Sequence, residues 1–241
     1  MSTKDGTGER AAMAVMSDRM TQGDQGGQGR QGGQGPQKAE AVRAASNLSG
    51  DQLRLLFDAY QPQPLAADPQ IDQTQPKPAG VLVPLVAGAG GWHVLLTQRT
   101  SHLTHHAGQI SFPGGRVEPD DPSATIAALR EAEEEISLAR DRVELIGQLD
   151  DYRTVTNYRV TPVVGLITDT GPLKADANEV AAIFQAPLAH FLNPDNFERH
   201  DRAVDNRSRS FYAVPYQGYF IWGATAAMLK NLASVIQGAT A

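Results

Sequence analysis

Hydrophobic and polar residues change their spacing several times along the chain. Across residues 39–59 the apolar positions recur at helical intervals. In "SGDQLRLLFDAY", Ser49 or Asp51 can cap a helix whose Leu53, Leu56 and Phe57 share one face. The run "QPQPLAADPQIDQTQPKPAG" (residues 61–80) reads as a proline-rich connector. "VLVPLV" and "WHVLLTQR" are short apolar runs that predict strands over 81–86 and 92–99, with "AGAGG" as the turn between them. Pro122 and Ser123 can open a helix that little interrupts before Ser137. Further strands are expected over 143–149, 158–167 and 181–188, and Pro187 suits the start of a short helix through Leu192. "SFYAVPY" and "YFIWG" read as late strands. "GATAAMLKNLASVI" closes the pattern as a helix with Ala227, Leu229, Leu232, Val235 and Ile236 as its apolar positions. Strands outnumber helices, and the helices are dispersed among them, which predicts an α/β (α+β) fold with a mixed sheet packed between helices.

Composition divides this pattern into regions. "TQGDQGGQGRQGGQGPQ" (residues 21–37) cannot bury apolar surface, so 1–37 is expected to be a disordered Gly/Gln-rich tail. A helical segment and proline-rich connector follow over 38–79, and the compact domain is expected over 80–238. A hydrophobic fraction of 41% supports a sizeable core. The net charge of −6 argues against nucleic acid as a partner but leaves room for a small anionic substrate screened by a cation. The absence of cysteine excludes disulfides, thiolate metal sites and thiol catalysis. No apolar run approaches the roughly 20 residues of a spanning helix, and no apolar leader core stands near the N-terminus. The expectation is a cytoplasmic protein with no membrane partner; a homodimer stays open.

The chemistry concentrates in "REAEEE", where four glutamates fall within five positions (131–135). Like charges one turn apart repel, so either something offsets the crowding or this is a solvated acidic face. At 100° per residue from Arg130, Glu134 falls near ~40°, Glu131 near ~100° and Glu135 near ~140°. Ala132, Ile136 and Leu129 fall between about 200° and 260°. Glu133, near ~300°, belongs to neither set. Three carboxylates beside an arginine make a hard-oxygen site suited to Mg²⁺ or Mn²⁺. The Gly-Gly turn in "ISFPGG" (residues 110–115) would bring bare backbone close to that patch.

These residues resemble the Nudix box, G-x5-E-x7-R-E-U-x-E-E-x-G-U with U bulky and apolar. Gly115 supplies the glycine, and Arg130, Glu131, Glu134 and Glu135 supply R-E-x-x-E-E. The first acid is Asp121, separated from Arg130 by eight residues and not seven; Ala132 stands at a U position and Ser137 at the late Gly. That inserted residue with Asp is a feature of the coenzyme A pyrophosphatase branch. The upstream "LLTQRTSHLTHHAGQISFPGG" (residues 95–115) is similar to the same branch, with Thr100 and Thr104 in place of its Ser and Arg. "YRVTPVVGLI", "NEVAAIFQAPLAHFL" and "YFIWGATAAML" also look like its bacterial members, so the resemblance spans about 80–235.

The resemblance implies a Nudix-type α/β/α sandwich and metal-dependent hydrolysis of the pyrophosphate bond of coenzyme A or acyl-CoA. The products would be 3′,5′-ADP and 4′-(acyl)phosphopantetheine. Glu131, Glu134 and Glu135 would hold Mg²⁺ or Mn²⁺ with help from a Gly114 or Gly115 carbonyl, and Arg130 would orient the glutamates. The base is Glu131 or a loop residue; Glu179, which opens "EVAAIF", is the loop candidate, with helix capping as its bland alternative. Arg99, His105 and His106 are candidate substrate contacts, as are Arg153 and Arg159, which could instead balance nearby acids. The paired histidines lack further ligands at zinc spacing. Two other readings stand beside this one: hydrolysis of another nucleoside diphosphate derivative, such as ADP-ribose or a dinucleoside polyphosphate, and a regulator that binds a nucleotide without turnover.

Overall fold

The computed structural model describes residues 40, 42, 43, 45–63, 65, 75–102, 106–204 and 207–238. The expected tail over 1–37 lies outside them. The first named helix, α1 (Gly50–Ala59), starts at a reciprocal cap. Ser49 Oγ accepts from the Gln52 amide at 3.2 Å, and Gln52 Oε1 accepts from the Ser49 amide at 2.8 Å. This satisfies two amides that lack intrahelical partners, and it selects Ser49 over Asp51 as the cap. Leu53 and Phe57 are buried on the inner face, Leu56 is half-buried, and Leu55 faces solvent.

Eight strands form one mixed sheet: β1 (Lys77–Gly88), β2 (Gly91–Arg99), β3 (Ile110–Ser111), β4 (Gly114–Arg116), β5 (Glu144–Gln148), β6 (Tyr152–Arg153), β7 (Tyr158–Ile167) and β8 (Val180–Pro187). β1 runs parallel to β7 over its first ten residues; the other pairings are antiparallel. β1 begins inside the run expected to be connector, because Lys77, Ala79 and Gly80 pair with Tyr158, Val160 and Thr161. The Gly-Gly segment is also a strand and not a turn: Gly114 and Gly115 pair with Val81 and Gly80.

The sheet is covered on both faces. The helix α2 (Ala124–Ile136) lays Ala128, Leu129, Ala132 and Ile136 against Leu82, Val86, Leu95, Val163 and Ile167. On the other face, Val83, Leu85, Val94, Leu96, Val164 and Leu166 pack with Leu53 and Phe57 of α1. The short α3 (Leu188–Leu192) and α4 (Ala224–Ile236) complete that layer. Each fully buried leucine contributes roughly 1.5–3 kcal/mol relative to exposure, so this is the α/β/α sandwich the resemblance implies. Helix and sheet approach closely at Gly80, where a Cβ would lie 1.9 Å from the Ala124 carbonyl oxygen.

A polar clamp ties α1 to both the sheet and α4. The Tyr60 hydroxyl donates to Asp150 Oδ1 at 2.6 Å, and Asn231 Nδ2 donates to Asp150 Oδ2 at 3.1 Å. Two readings of the late sequence need correction. β9 (Glu198–Val204) pairs with β10 (Arg207–Ala213) as a separate hairpin, and β9 was not expected. "YFIWG" is no strand, and only isolated bridges form there, Ala213 with Trp222 and Tyr216 with Tyr219. Its aromatic residues fill half-buried loop positions, as where Tyr219 stacks on Phe184 with ring centroids 3.8 Å apart. In α4 the buried positions include Ala226 and Met228, while Ala227 is half-buried.

Candidate active site

The acidic helix α2 begins at Ser123, whose Oγ accepts from the Ile126 amide at 3.3 Å. It ends at Ser137, in a left-handed conformation at φ 57°. Its four glutamates occupy different environments, as the 100° rule requires. Glu133 points away from the others and pairs with Arg140 at 2.8 Å. Glu134 is largely exposed and reaches Arg130 at 2.9 Å. Glu131 is mostly buried and lies 3.1 Å from Arg130. Glu135 is 5% exposed, with Oε1 at 3.6 Å from Arg99. Its Oε2 accepts from the Gly114 amide at 3.3 Å.

Arg130 organises one side of this patch. Besides Glu131 and Glu134 it grips Asp121 through Nη2 at 2.9 Å and Nε at 3.1 Å, and Nη2 also donates to the Arg116 carbonyl. The guanidinium holds the Asp121 carboxyl below its usual range. The inserted Asp therefore anchors the arginine while leaving the glutamates on its other nitrogen. Gly115 belongs here for a steric reason: a Cβ on it would lie 2.2 Å from Glu131 Oε1.

Arg99, at the end of β2, organises the other side. It faces Glu135 and also lies 3.8 Å from Glu179, so a loop carboxylate joins those of the helix. Burial pushes the Glu135 carboxyl up to about 8 against the opposing pull of Arg99 and the Gly114 amide, with repulsion from Glu131 and Glu179 in the same upward direction. Burial likewise raises Glu131, against Arg130 and with added repulsion from Glu134 and Glu179. Glu179 precedes a strand, so the helix-capping alternative for it falls away.

The remaining candidates lie elsewhere or lack description. His105 is outside the described residues. His106 is exposed and bonds Gln109 Oε1 through Nδ1 at 2.8 Å. Arg159 lies 3.8 Å from Asp151, and Arg153 donates to Asn157 Oδ1 at 2.7 Å. The sheet register places these two on β7 and β6, two and three strands from Gly115, or about 10–14 Å at ~4.8 Å per strand. Asp121 is the site residue that sequence reasoning saw only as a departure from a pattern; its nine-residue offset from Arg130 was the available signal.

The donor set can be tested for a divalent cation. Among the described residues, no three acidic or histidine side chains already converge on one point; the carboxylates are turned onto Arg130 and Arg99. Their chemistry nonetheless fits. Carboxylates outnumber guanidinium groups here, two of them carry protons above their ordinary range through burial and mutual repulsion, and all offer hard oxygen. Glu131, Glu134 and Glu135, with the backbone at Gly115, are the residues that would hold the ion.

A strand-rich sandwich carrying an arginine-bridged glutamate helix against a Gly-Gly strand is the arrangement of a Nudix hydrolase, a class that acts on nucleoside diphosphate derivatives. The NUDIX domain family model matches residues 76–209, more than half of the chain, and the chain belongs to this family. It is 44% identical over 155 residues to the Nudix hydrolase NudL of Escherichia coli strain K12, covering 64% of this chain and 80% of that protein. It is 40% identical over 181 residues to NudL of Shigella sonnei, covering 74% and 94%. A MutT/nudix family protein from Enterococcus faecalis aligns over 86% of this chain and 76% of its own at 16% identity, with a TM-score of 0.42. No helix among the described residues is long and apolar enough to cross a membrane.

Proposed function

We propose that the chain hydrolyses the pyrophosphate bond of coenzyme A or an acyl-CoA, releasing 3′,5′-ADP and 4′-(acyl)phosphopantetheine. The observation that carries this reading is the placement of Arg99. The segment over 95–115 that resembles the coenzyme A branch delivers Arg99 to Glu135 and Glu179 and continues into the Gly-Gly strand beside Glu131. That the branch-like segment and the box glutamates belong to one local structure supports this reading.

Mg²⁺ or Mn²⁺ held by Glu131, Glu134, Glu135 and the Gly115 carbonyl would offset phosphate charge and acidify water. Arg130, anchored by Asp121, keeps Glu131 and Glu134 on one side of the site. Glu131 or Glu179 accepts a proton from the attacking water. The new phosphorus–oxygen bond forms as the bridging phosphorus–oxygen bond breaks, and the leaving phosphate takes the electron pair. Arg99, released from part of its carboxylate contact, meets a phosphate oxygen and stabilises the charge that develops there.

The test is a panel of coenzyme A, acetyl-CoA, ADP-ribose and diadenosine tetraphosphate with Mg²⁺ and Mn²⁺, read by phosphorus NMR of the products. Coenzyme A or its thioester should have the highest kcat/KM and give two phosphomonoester-bearing products. Faster turnover of ADP-ribose or the dinucleotide would reassign the substrate. Binding without turnover of any of them, under either metal, would point to a regulator.

A further inference from the structure

We propose that Thr100 is a positioning residue that holds Glu179 in the site, by clamping the turn 176–179 from below. This rests on the reading above that Glu179 takes part in hydrolysis. Thr100 follows Arg99 directly, and the two neighbours grip the same turn in different ways. Arg99 meets the Glu179 carboxylate at 3.8 Å. The Thr100 amide donates to the Glu179 carbonyl at 2.9 Å. The Thr100 hydroxyl donates to the Asn178 carbonyl at 3.1 Å, and the side chain is 6% exposed.

The turn is also held at both ends; directly after it Val180 pairs with Arg99 of β2, beyond a register shift at Gln98/Arg99, and donates its amide to the Asp176 carbonyl at 2.8 Å. Asp176 donates its amide to the Glu135 carbonyl at 2.9 Å, using an acceptor left over at the end of α2. Asp176 Oδ1 accepts from the Asn178 amide at 2.9 Å, and its carbonyl accepts from the Glu179 amide at 3.0 Å. These bonds shape the turn, and the Arg99–Val180 pairing sets its backbone approach to β2. The Thr100 hydroxyl adds a tie one residue earlier, at Asn178, and so fixes the tilt of the peptide from which the half-exposed Glu179 side chain begins. A buried hydroxyl whose one hydrogen bond goes to a backbone carbonyl on a catalytic turn is poorly explained by core packing, which valine would serve as well. Misplacing a reacting group by about 1 Å can lower a rate by as much as about 100-fold.

Thr100→Val keeps the shape and removes the hydroxyl; Thr100→Ala removes it from a smaller side chain, and Thr100→Ser retains it. With coenzyme A as substrate under Mg²⁺, both hydroxyl-free variants should lose about tenfold in kcat with KM within threefold, while Thr100→Ser stays within twofold of the parent. Circular dichroism confirms the fold of each. In a Glu179→Gln background, Thr100→Val should cause no further loss of kcat, because the carboxylate it positions is gone. Parental kcat in Thr100→Val, or a loss that multiplies in full on Glu179→Gln, overturns the proposal. If Glu179→Gln keeps parental turnover while Glu131→Gln and Glu135→Gln are inactive, the proposal fails and the hydrolytic reading stands. If Glu131→Gln and Glu135→Gln are also fully active, both fail.

Discussion

Replacing Glu135 by glutamine should lower turnover at least about 100-fold and yet stabilise the metal-free protein at alkaline pH. Glu135 lies at 5% exposure, and burial lifts its carboxyl from 4.5 to about 8. Each tenfold change in proton affinity is worth about 1.4 kcal/mol, so holding this carboxylate ionised in the fold costs on the order of 5 kcal/mol. The sign follows from linkage. Below about pH 4.5 the group is protonated in both folded and unfolded chains, and its contribution to stability is fully present. Between about 4.5 and 8 the unfolded chain releases the proton while the folded one keeps it, so stability falls as pH rises. Above about 8 the whole penalty is in place. Glu131, raised for the same reason, adds in the same direction. Asp121, lowered by Arg130, has the opposite sign, and its contribution is lost only as pH falls below its ordinary range.

Glutamine has no such penalty, and its carbonyl can still accept from the Gly114 amide. Thermal melts in EDTA at pH 5.5, 7.0 and 8.5 should therefore show the variant gaining on the parent as pH rises. By pH 8.5 the variant should lead by at least about 1 kcal/mol, or several degrees. Mg²⁺ or Mn²⁺ should stabilise the parent by mass action and the variant much less. Coenzyme A turnover should fall at least about 100-fold, since metal-held charge is worth several kcal/mol in the transition state. A difference in melting temperature that is flat with pH, or a variant less stable than the parent at pH 8.5 in EDTA, would refute the reasoning.

Other substitutions separate neighbours that composition cannot. Glu133→Gln should keep coenzyme A turnover within about threefold and stability within roughly 0.5 kcal/mol, because it loses only an exposed pair with Arg140; Glu131→Gln in the same assay should lose orders of magnitude. Ser137→Gly should raise stability by about 0.5–1 kcal/mol in denaturant melts without changing turnover, because residue 137 sits at φ 57°, where a Cβ is unfavourable. Gly115→Ala should cut kcat/KM at least about tenfold with little change in melting temperature, since the atom it displaces is the movable end of Glu131.

How much of this the sequence carried depended on how local each feature is. The start of α1, narrowed by spacing to Ser49 or Asp51, and the separation of Glu133 from its neighbours are fixed within one or two helical turns, and both were legible. β9 was not, because its described residues Glu198, Arg199, His200 and Asp201 offer no apolar alternation; beyond the backbone ladder it pairs through polar and ring contacts, Arg199 with Ser210 and His200 stacked on Phe211. "YFIWG" misled for the converse reason: strand preference reflects fit to a half-buried surface, which a loop stacking Tyr219 on Phe184 also provides. The site itself shows the same limit. Spacing on α2 put three glutamates and Arg130 together, but that Glu135 would be the buried one depends on β2 carrying Arg99 to it and on the Gly114 amide below. Those contacts join residues from 99 to 179 across strand, strand, helix and loop, and no periodicity links them. The two arginines explain how so acidic a helix persists. Arg130 stabilises its outer edge and Arg99 its inner one, while the penalty left on Glu135 is the part that the proposed cation would relieve. If Glu135 holds the cation as proposed, fold stability and metal affinity are opposed at one residue, and a change that improves the first should weaken the second.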